Sequence, residues 1–211
     1  MQNESFIENE EGVDLKKMYA VVVVLITVGL VVSIISILSI FSSPQTISEG
    51  FENGLEEWVA DADVPQDPNN PGQPVEWHIN RTAKVSRSGQ YSLELSIDGR
   101  QDDGTIWIER KIETQKNAKK QITVSFYFYS EKESFNTIAS ICAYVGVRNP
   151  EVEENFSIIG SANEVVGWKR YSLVSDIDTG SSEEIWVALG ISVRWETHMT
   201  YCIDDVKIEI R

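Results

Sequence analysis

The chain has 211 residues, with 18 basic side chains against 33 acidic ones, and a formal charge of −15. So acidic a balance excludes the usual nucleic-acid binder, which concentrates positive charge against phosphate. Two cysteines are too few for a disulfide framework or a four-thiolate zinc site, two histidines too few for a His-rich metal centre, and 24% charged with 9% aromatic residues excludes a wholly disordered chain.

Residues 1–17 form an acidic tail with Glu4, Glu8, Glu10, Glu11 and Asp14, ending in Lys16-Lys17. Residues 18–41, MYAVVVVLITVGLVVSIISILSIF, contain no charge. As a helix this run spans roughly 36 Å, against a hydrocarbon core of about 30 Å. A helix satisfies its own backbone groups in lipid, so the β-branched residues are tolerated. Tyr19 suits one interface and Pro44 stops the helix beyond the other. Lys16 and Lys17 precede the span and no Lys or Arg follows before Arg81, which predicts a cytoplasmic N-terminus and an extracellular C-terminal part. A cleaved signal peptide is the competing reading, although its apolar core is shorter and cleavage after Ser42 or Ser43 leaves Ile40 or Phe41 where a small residue belongs. An archaeal pilin-type leader is a third reading, with Met18-Tyr19 in place of its small residues. The spacer, residues 42–49, is short: its first seven residues, 42–48, reach at most ~25 Å, which keeps the domain near its membrane. The −15 then divides into −3 for the tail, none for the span and −12 beyond it.

From residue 42 onward the pattern changes to short runs of Val, Ile, Thr, Tyr, Phe and Trp between turn signals. Residues 59–74 hold four of the six prolines and three aspartates, and read as a long exposed loop. Strands are expected at 75–79, 82–86, 91–97, 105–112, 121–130, 137–147, 168–175, 185–193 and 200–210. Strict alternation marks core faces: Ile122, Val124, Phe126 and Phe128; Ile185, Val187, Leu189, Ile191 and Val193; Tyr91, Leu93, Leu95 and Ile97. Nine strands at this spacing predict an all-β sandwich or barrel.

Four segments in order carry a family resemblance: Gly50-Phe51-Glu52-Asn53-Gly54 followed by Trp58; Ser88-Gly89-Gln90-Tyr91-Ser92-Leu93; Ile122-Thr123-Val124-Ser125-Phe126-Tyr127; and Tyr201-Cys202-Ile203-Asp204-Asp205-Val206. Residues 50–211 resemble the extracellular galactose-binding-like β-jelly-roll modules, which include many carbohydrate-binding modules. The resemblance implies a two-sheeted jelly roll, so that with the uncharged run the expectation is an all-β jelly-roll sandwich ectodomain behind a single N-terminal transmembrane α-helix. It also implies a structural calcium ion (Ca2+), with Glu52, the carbonyl of Gly89 and Asp205 as candidate ligands. Hard oxygen donors suit that ion, but six to eight are needed, so further carbonyls or waters are required. Ordinary charges at a strand end are the alternative.

Sugars are held by aromatic rings on their C–H faces, with polar groups fixing the hydroxyls. Trp107, Tyr127, Tyr129, Tyr144 and Trp186 alternate with core residues and form a candidate platform, with Arg148 among its polar partners. The alternative is that these rings stabilise the sheets as cross-strand pairs. No GxSxG, HExxH or glycine-rich phosphate loop occurs, His78 and His198 are isolated in sequence, and Asp204-Asp205, as neighbours on a strand, are expected on opposite faces. An enzyme is therefore not expected. Cys142 and Cys202 both fall in the outer domain, as a disulfide or as two buried thiols. Asn80-Arg81-Thr82 and Asn155-Phe156-Ser157 match the N-glycosylation pattern. The expectation is a single-pass, membrane-anchored, extracellular, non-catalytic binding module for a glycan; the rival is an accessory subunit of a cell-surface protein assembly.

Overall fold

The computed structural model describes residues 15–41, 44–98, 104–132, 138–195 and 201–211. Residues 1–14 of the acidic tail and His198 lie outside the described residues. The chain divides into two units, Met1–Ser43 and Pro44–Arg211.

In the first unit, α1 covers Leu15–Phe41. Residues Lys16–Ile34 are long and apolar enough to cross a membrane, with a mean hydropathy of 2.4. A secretion signal and a signal anchor share these properties. The polar side chains on this stretch turn back on the helix: Thr27 donates to the carbonyls of Val23 and Val24, and Ser33 to that of Gly29. Neither hydroxyl is left unsatisfied facing an apolar medium.

The second unit is a sandwich of two antiparallel sheets. Its strands are β1 (Gln45–Glu49), β2 (Val59–Asp63), β3 (Trp77–Thr82), β4 (Ser92–Ile97), β5 (Gly104–Glu113), β6 (Lys119–Ser130), β7 (Ile138–Gly146), β8 (Ser157–Ser161), β9 (Gly167–Asp178), β10 (Glu184–Trp195) and β11 (Tyr201–Ile210). A six-stranded sheet runs β3-β4-β11-β6-β9, with β1 paired to the second half of β11. A five-stranded sheet runs β2-β5-β10-β7-β8. The alternating core faces read from the sequence meet between the sheets, where Ile122, Val124, Phe126 and Phe128 of β6 oppose Val187, Leu189 and Ile191 of β10 in one buried cluster; Tyr91 departs from this, standing before β4, half-buried outside the cluster with Arg81 over its ring. Phe51 and Trp58 of the first motif lie in the same cluster. Burial of these side chains contributes ~1.5–3 kcal/mol each and is the main force holding the sheets together.

Three strands are additional to those expected. β1 takes most of the expected spacer into the sheet, from Gln45 paired with Ile210 to Glu49 paired with Val206. β2 lies in the segment expected to be loop: Ala60 and Ala62 pack on the core while Asp61 and Asp63 face away, so VADAD is an alternating edge strand despite its aspartates. β8, SIIGS, pairs with β7 across a bulge. The expected strands 75–79 and 82–86 are replaced by β3, whose pairing with β4 ends at Thr82–Ser92, where the chain must turn.

The two cysteines are free and buried. Cys142 lies between the core residues Ile141 and Ala143 of β7, and Cys202 between Tyr201 and Ile203 of β11. Each thiol therefore points away from the core, on opposite outer faces of a sandwich whose sheets are ~10 Å apart. A disulfide needs Cα atoms within about 7 Å, so this pairing is ruled out. Burial also pushes the Cys202 thiol up to about 12, which keeps it protonated and inert.

Candidate functional site

The rings expected to share one platform are divided between the two outer faces. Trp107, Tyr144 and Trp186 project from β5, β7 and β10 of the five-stranded sheet, whereas Tyr127 and Tyr129 project from β6 of the six-stranded sheet. Alternation sets every one of them opposite the core, but the sandwich has two such sides.

On the five-stranded sheet the central strand β10 presents Ala188, Gly190 and Ser192, a shallow floor between Trp107 and Glu109 of β5 and Cys142 and Tyr144 of β7. Gly190 is required there: a Cβ would stand 2.1 Å from the carbonyl oxygen of Ile106 and 2.7 Å from Cβ of Trp107. Residues 147–156, the connection from β7 to β8, fold back across this floor. Phe156 packs 4.9 Å from the Trp107 ring and 6.1 Å from that of Tyr144. Glu153, in a single 3-10 turn, ties the far end down: its backbone N–H donates to Asp63, its carboxylate accepts from Thr105 Oγ1, and it pairs with Arg194 at 3.0 Å. Trp107 is consequently 0% exposed, and Thr105, Cys142, Ala188 and Ser192 are buried beside it. Trp107 has no face open to a ligand. Tyr144 and Trp186 remain half-buried, and Arg148 is exposed at the start of the covering segment, where its carbonyl accepts from the Tyr144 hydroxyl at 2.9 Å. Asn155 of the second sequon is exposed and its side-chain oxygen accepts from the backbone of Glu151 and Val152; Asn80 of the first is exposed on β3.

Glu109 is 4% exposed under this cover. Burial is the main cause that raises its carboxyl above the ordinary carboxylate range; the Trp107 Nε1–H, donating at 2.8 Å, acts in the opposite direction. The folded protein therefore holds this proton more tightly than the unfolded chain, so the group's contribution to stability is present at low pH and lost as pH rises through the raised value. Glu109→Gln can still accept the indole bond. The wild-type melting temperature should fall as pH rises above the ordinary carboxylate range, and Glu109→Gln should flatten that fall; an unchanged pH profile would exclude Glu109 as its source.

The outer face of the six-stranded sheet is different. Tyr127 and Tyr129 of β6 lie opposite Arg170 and Trp168 of β9. Tyr129 and Trp168 form a tilted pair with centroids 5.3 Å apart, both half-buried, with exposed Arg170 in the next row. Trp168 was not among the ring residues singled out by sequence, although it precedes the alternating Tyr171 and Leu173 and shares the parity of Arg170. Tyr127 is partly covered by the Arg87 guanidinium, 3.6 Å above its ring. His78 sits at the surface on β3 of the same sheet, 3.9 Å from Glu94.

Arg87 belongs to the loop joining β3 to β4, which carries the candidate calcium ligand Gly89 and against which the other two, Glu52 of the β1–β2 connection and Asp205 of β11, are bonded. Asp204 and Asp205 do not point to opposite faces as strand neighbours would. Asp205 has φ +49° at a bulge in the β11–β6 pairing, and this left-handed kink turns both carboxylates toward the loop. Asp204, 0% exposed, accepts from the amides of Arg87 at 2.8 Å, Ser88 at 3.2 Å and Asp205 at 2.7 Å. Asp205 accepts from Arg87 Nη1 at 2.8 Å and Ser88 Oγ at 2.5 Å. Glu52 accepts from the amides of Gln90 and Tyr91, each at 3.0 Å. Gly89 has φ +59° and passes so close to Glu52 that a Cβ would stand 2.2 Å from its Oε1, so only glycine serves here. Glu52, Gly89 and Asp205 thus meet the same loop, but as partners of amides, a hydroxyl and a guanidinium. Among the described residues no three acidic, histidine or cysteine side chains gather as a metal site.

The fold is that of the β-sandwich carbohydrate-binding modules. A structure of such modules described for their promiscuous specificity aligns over 78% of this chain and 74% of its own, at 15% identity and a TM-score of 0.51. A family 61 carbohydrate-binding module in complex with β-1,4-galactotriose aligns over 75% of this chain and 92% of its own, at 15% identity and a TM-score of 0.48. The first family 22 xylan-binding domain of Paenibacillus barcinonensis Xyn10C aligns over 80% and 96%, at 15% identity and a TM-score of 0.48. No protein-family model and no curated protein matches the sequence.

Proposed function

We propose that this protein is a membrane-anchored, non-catalytic glycan-binding module whose domain stands outside the cell, and that the glycan lies on the outer face of the six-stranded sheet. The observation that carries this reading is the half-exposed Tyr129–Trp168 pair, with Tyr127 and Arg170 in the adjoining row. Two rings on adjacent strands offer C–H-stacking surface, and Arg170 offers donors for hydroxyl groups. The alternative sheet face has its central ring sealed by Phe156. Support for the anchor comes from the uncharged helix behind Lys16-Lys17.

Glycan-array binding of the detergent-solubilised full chain tests the reading, with Tyr129→Ala/Trp168→Ala and Trp186→Ala compared at equal folded content. The double variant should lose binding by roughly 30-fold or more, the loss of two stacking surfaces, and Trp186→Ala should retain it. Loss confined to Trp186→Ala would move the site to the open end of the five-stranded sheet, where Tyr144 and Arg148 lie. No hit on a broad array, with a large stable complex in a pull-down from native membranes, would favour an accessory subunit.

A further inference from the structure

Four carboxylates converge on the loop between β3 and β4 or on the turn after β1: Glu49, Glu52, Asp204 and Asp205. In a relative with this motif order the first expectation is that a bound metal neutralises them. Here each carboxylate already accepts from donors of the protein. Glu49 Oε1 accepts from the amides of Gly50 at 3.1 Å and Phe51 at 2.9 Å. Glu52 and Asp204 are held by backbone amides of the loop, and Asp205 by Arg87 and Ser88. A calcium ion needs six to eight oxygens, and drawing Asp205 into such a shell would displace both of its present donors.

We infer that the Arg87 guanidinium is the cation around which this corner is built, and that the domain holds the corner without calcium. The residue does three things at once. Its Nη1 bonds Asp205 at 2.8 Å, its plane lies 3.6 Å over the Tyr127 ring, and the backbone N–H of the same residue bonds Asp204 at 2.8 Å. It thereby joins the β3–β4 loop to both β11 and β6. The left-handed turn at Asp205 is what aims that carboxylate at Arg87. Arg81 plays a smaller part beside it, donating to the Glu52 carbonyl at 2.7 Å while stacking 4.1 Å over Tyr91. A flat, permanently charged fork can bond a carboxylate at its edge and a ring at its face; an ammonium cannot do both with the same geometry.

Thermal unfolding of the full chain in detergent tests this, in excess EDTA and in millimolar calcium chloride. The wild-type transition should be the same in both. Arg87→Gln should lower the melting temperature by roughly 3–6 °C in both buffers, the loss of one ion pair and one cation–π contact in a domain of this size. Arg87→Lys should recover less than half of that loss. Calcium raising the wild-type melting temperature by more than about 3 °C over EDTA would overturn the inference, as binding to the folded state alone must stabilise it. So would an Arg87→Gln transition coincident with the wild type.

Discussion

Trp107→Ala should destabilise the domain by about 3–5 kcal/mol, the cost of removing a large buried aromatic and leaving a cavity. A ring placed to stack on a sugar would behave oppositely, with binding lost and folding intact. Trp107 is 0% exposed; Phe156 covers it, Gly190 floors it and its indole N–H bonds Glu109. Truncation therefore empties the space beneath residues 147–156 and removes the indole donor from buried Glu109, leaving it only the Asn149 side chain, which adds to the cavity cost. Chemical denaturation read by far-UV circular dichroism measures the effect as a drop in midpoint at unchanged slope. A loss below about 1 kcal/mol would mean that the covering segment opens readily and that Trp107 is accessible after all.

Gly190→Val is the second large effect, from too much atom instead of too little. Gly190 lies on the central strand of the five-stranded sheet, paired with Trp107 on one side and Cys142 on the other. The nearest atom to a new Cβ is a backbone oxygen, that of Ile106 at 2.1 Å, so relief must come from β5 and β10 moving apart. That shift stretches a ladder running from Glu184 opposite Glu113 to Val193 opposite Gly104. The expected cost is about 3 kcal/mol, at the upper end for overpacked cores. Gly190→Ala should cost less but keep the same sign. Near-wild-type melting of both variants would show that β5 tolerates displacement.

Much of the fold was legible in the sequence. Period-two alternation in β6 and β10 marked the inner faces residue by residue, and the order of the four motifs indicated the type of sandwich. What escaped was short or polar. β2 reads as loop because two of its five residues are aspartates, yet an edge strand with one solvated face accepts them, and only its pairing with β5 reveals Ala60 and Ala62 as inner residues. β8 escaped because Ile158 and Ile159 point to different sides, which gives no apolar face to see. Asp204 and Asp205 were assigned to opposite faces by the same alternation rule, which fails where a left-handed residue makes a bulge.

The site was less legible, and for one reason. Alternation states whether a side chain faces the core or away from it. It does not state which of two outer faces it joins, nor what later folds over that face. The sequence alone determined that an uncharged helix-length run precedes an acidic β domain, and that Trp107, Tyr127, Tyr129, Tyr144 and Trp186 all stand outside the core. Those are local properties, set by composition and by the two-residue repeat of an extended chain. Only the tertiary structure decided that Tyr127 and Tyr129 are separated from Trp107 by the thickness of the sandwich, that Cys142 and Cys202 look in opposite directions, and that Phe156 closes one face while the other stays open. These depend on pairings between residues far apart in the chain, such as Phe156 on Trp107 and Arg87 on Asp205, which no local pattern encodes.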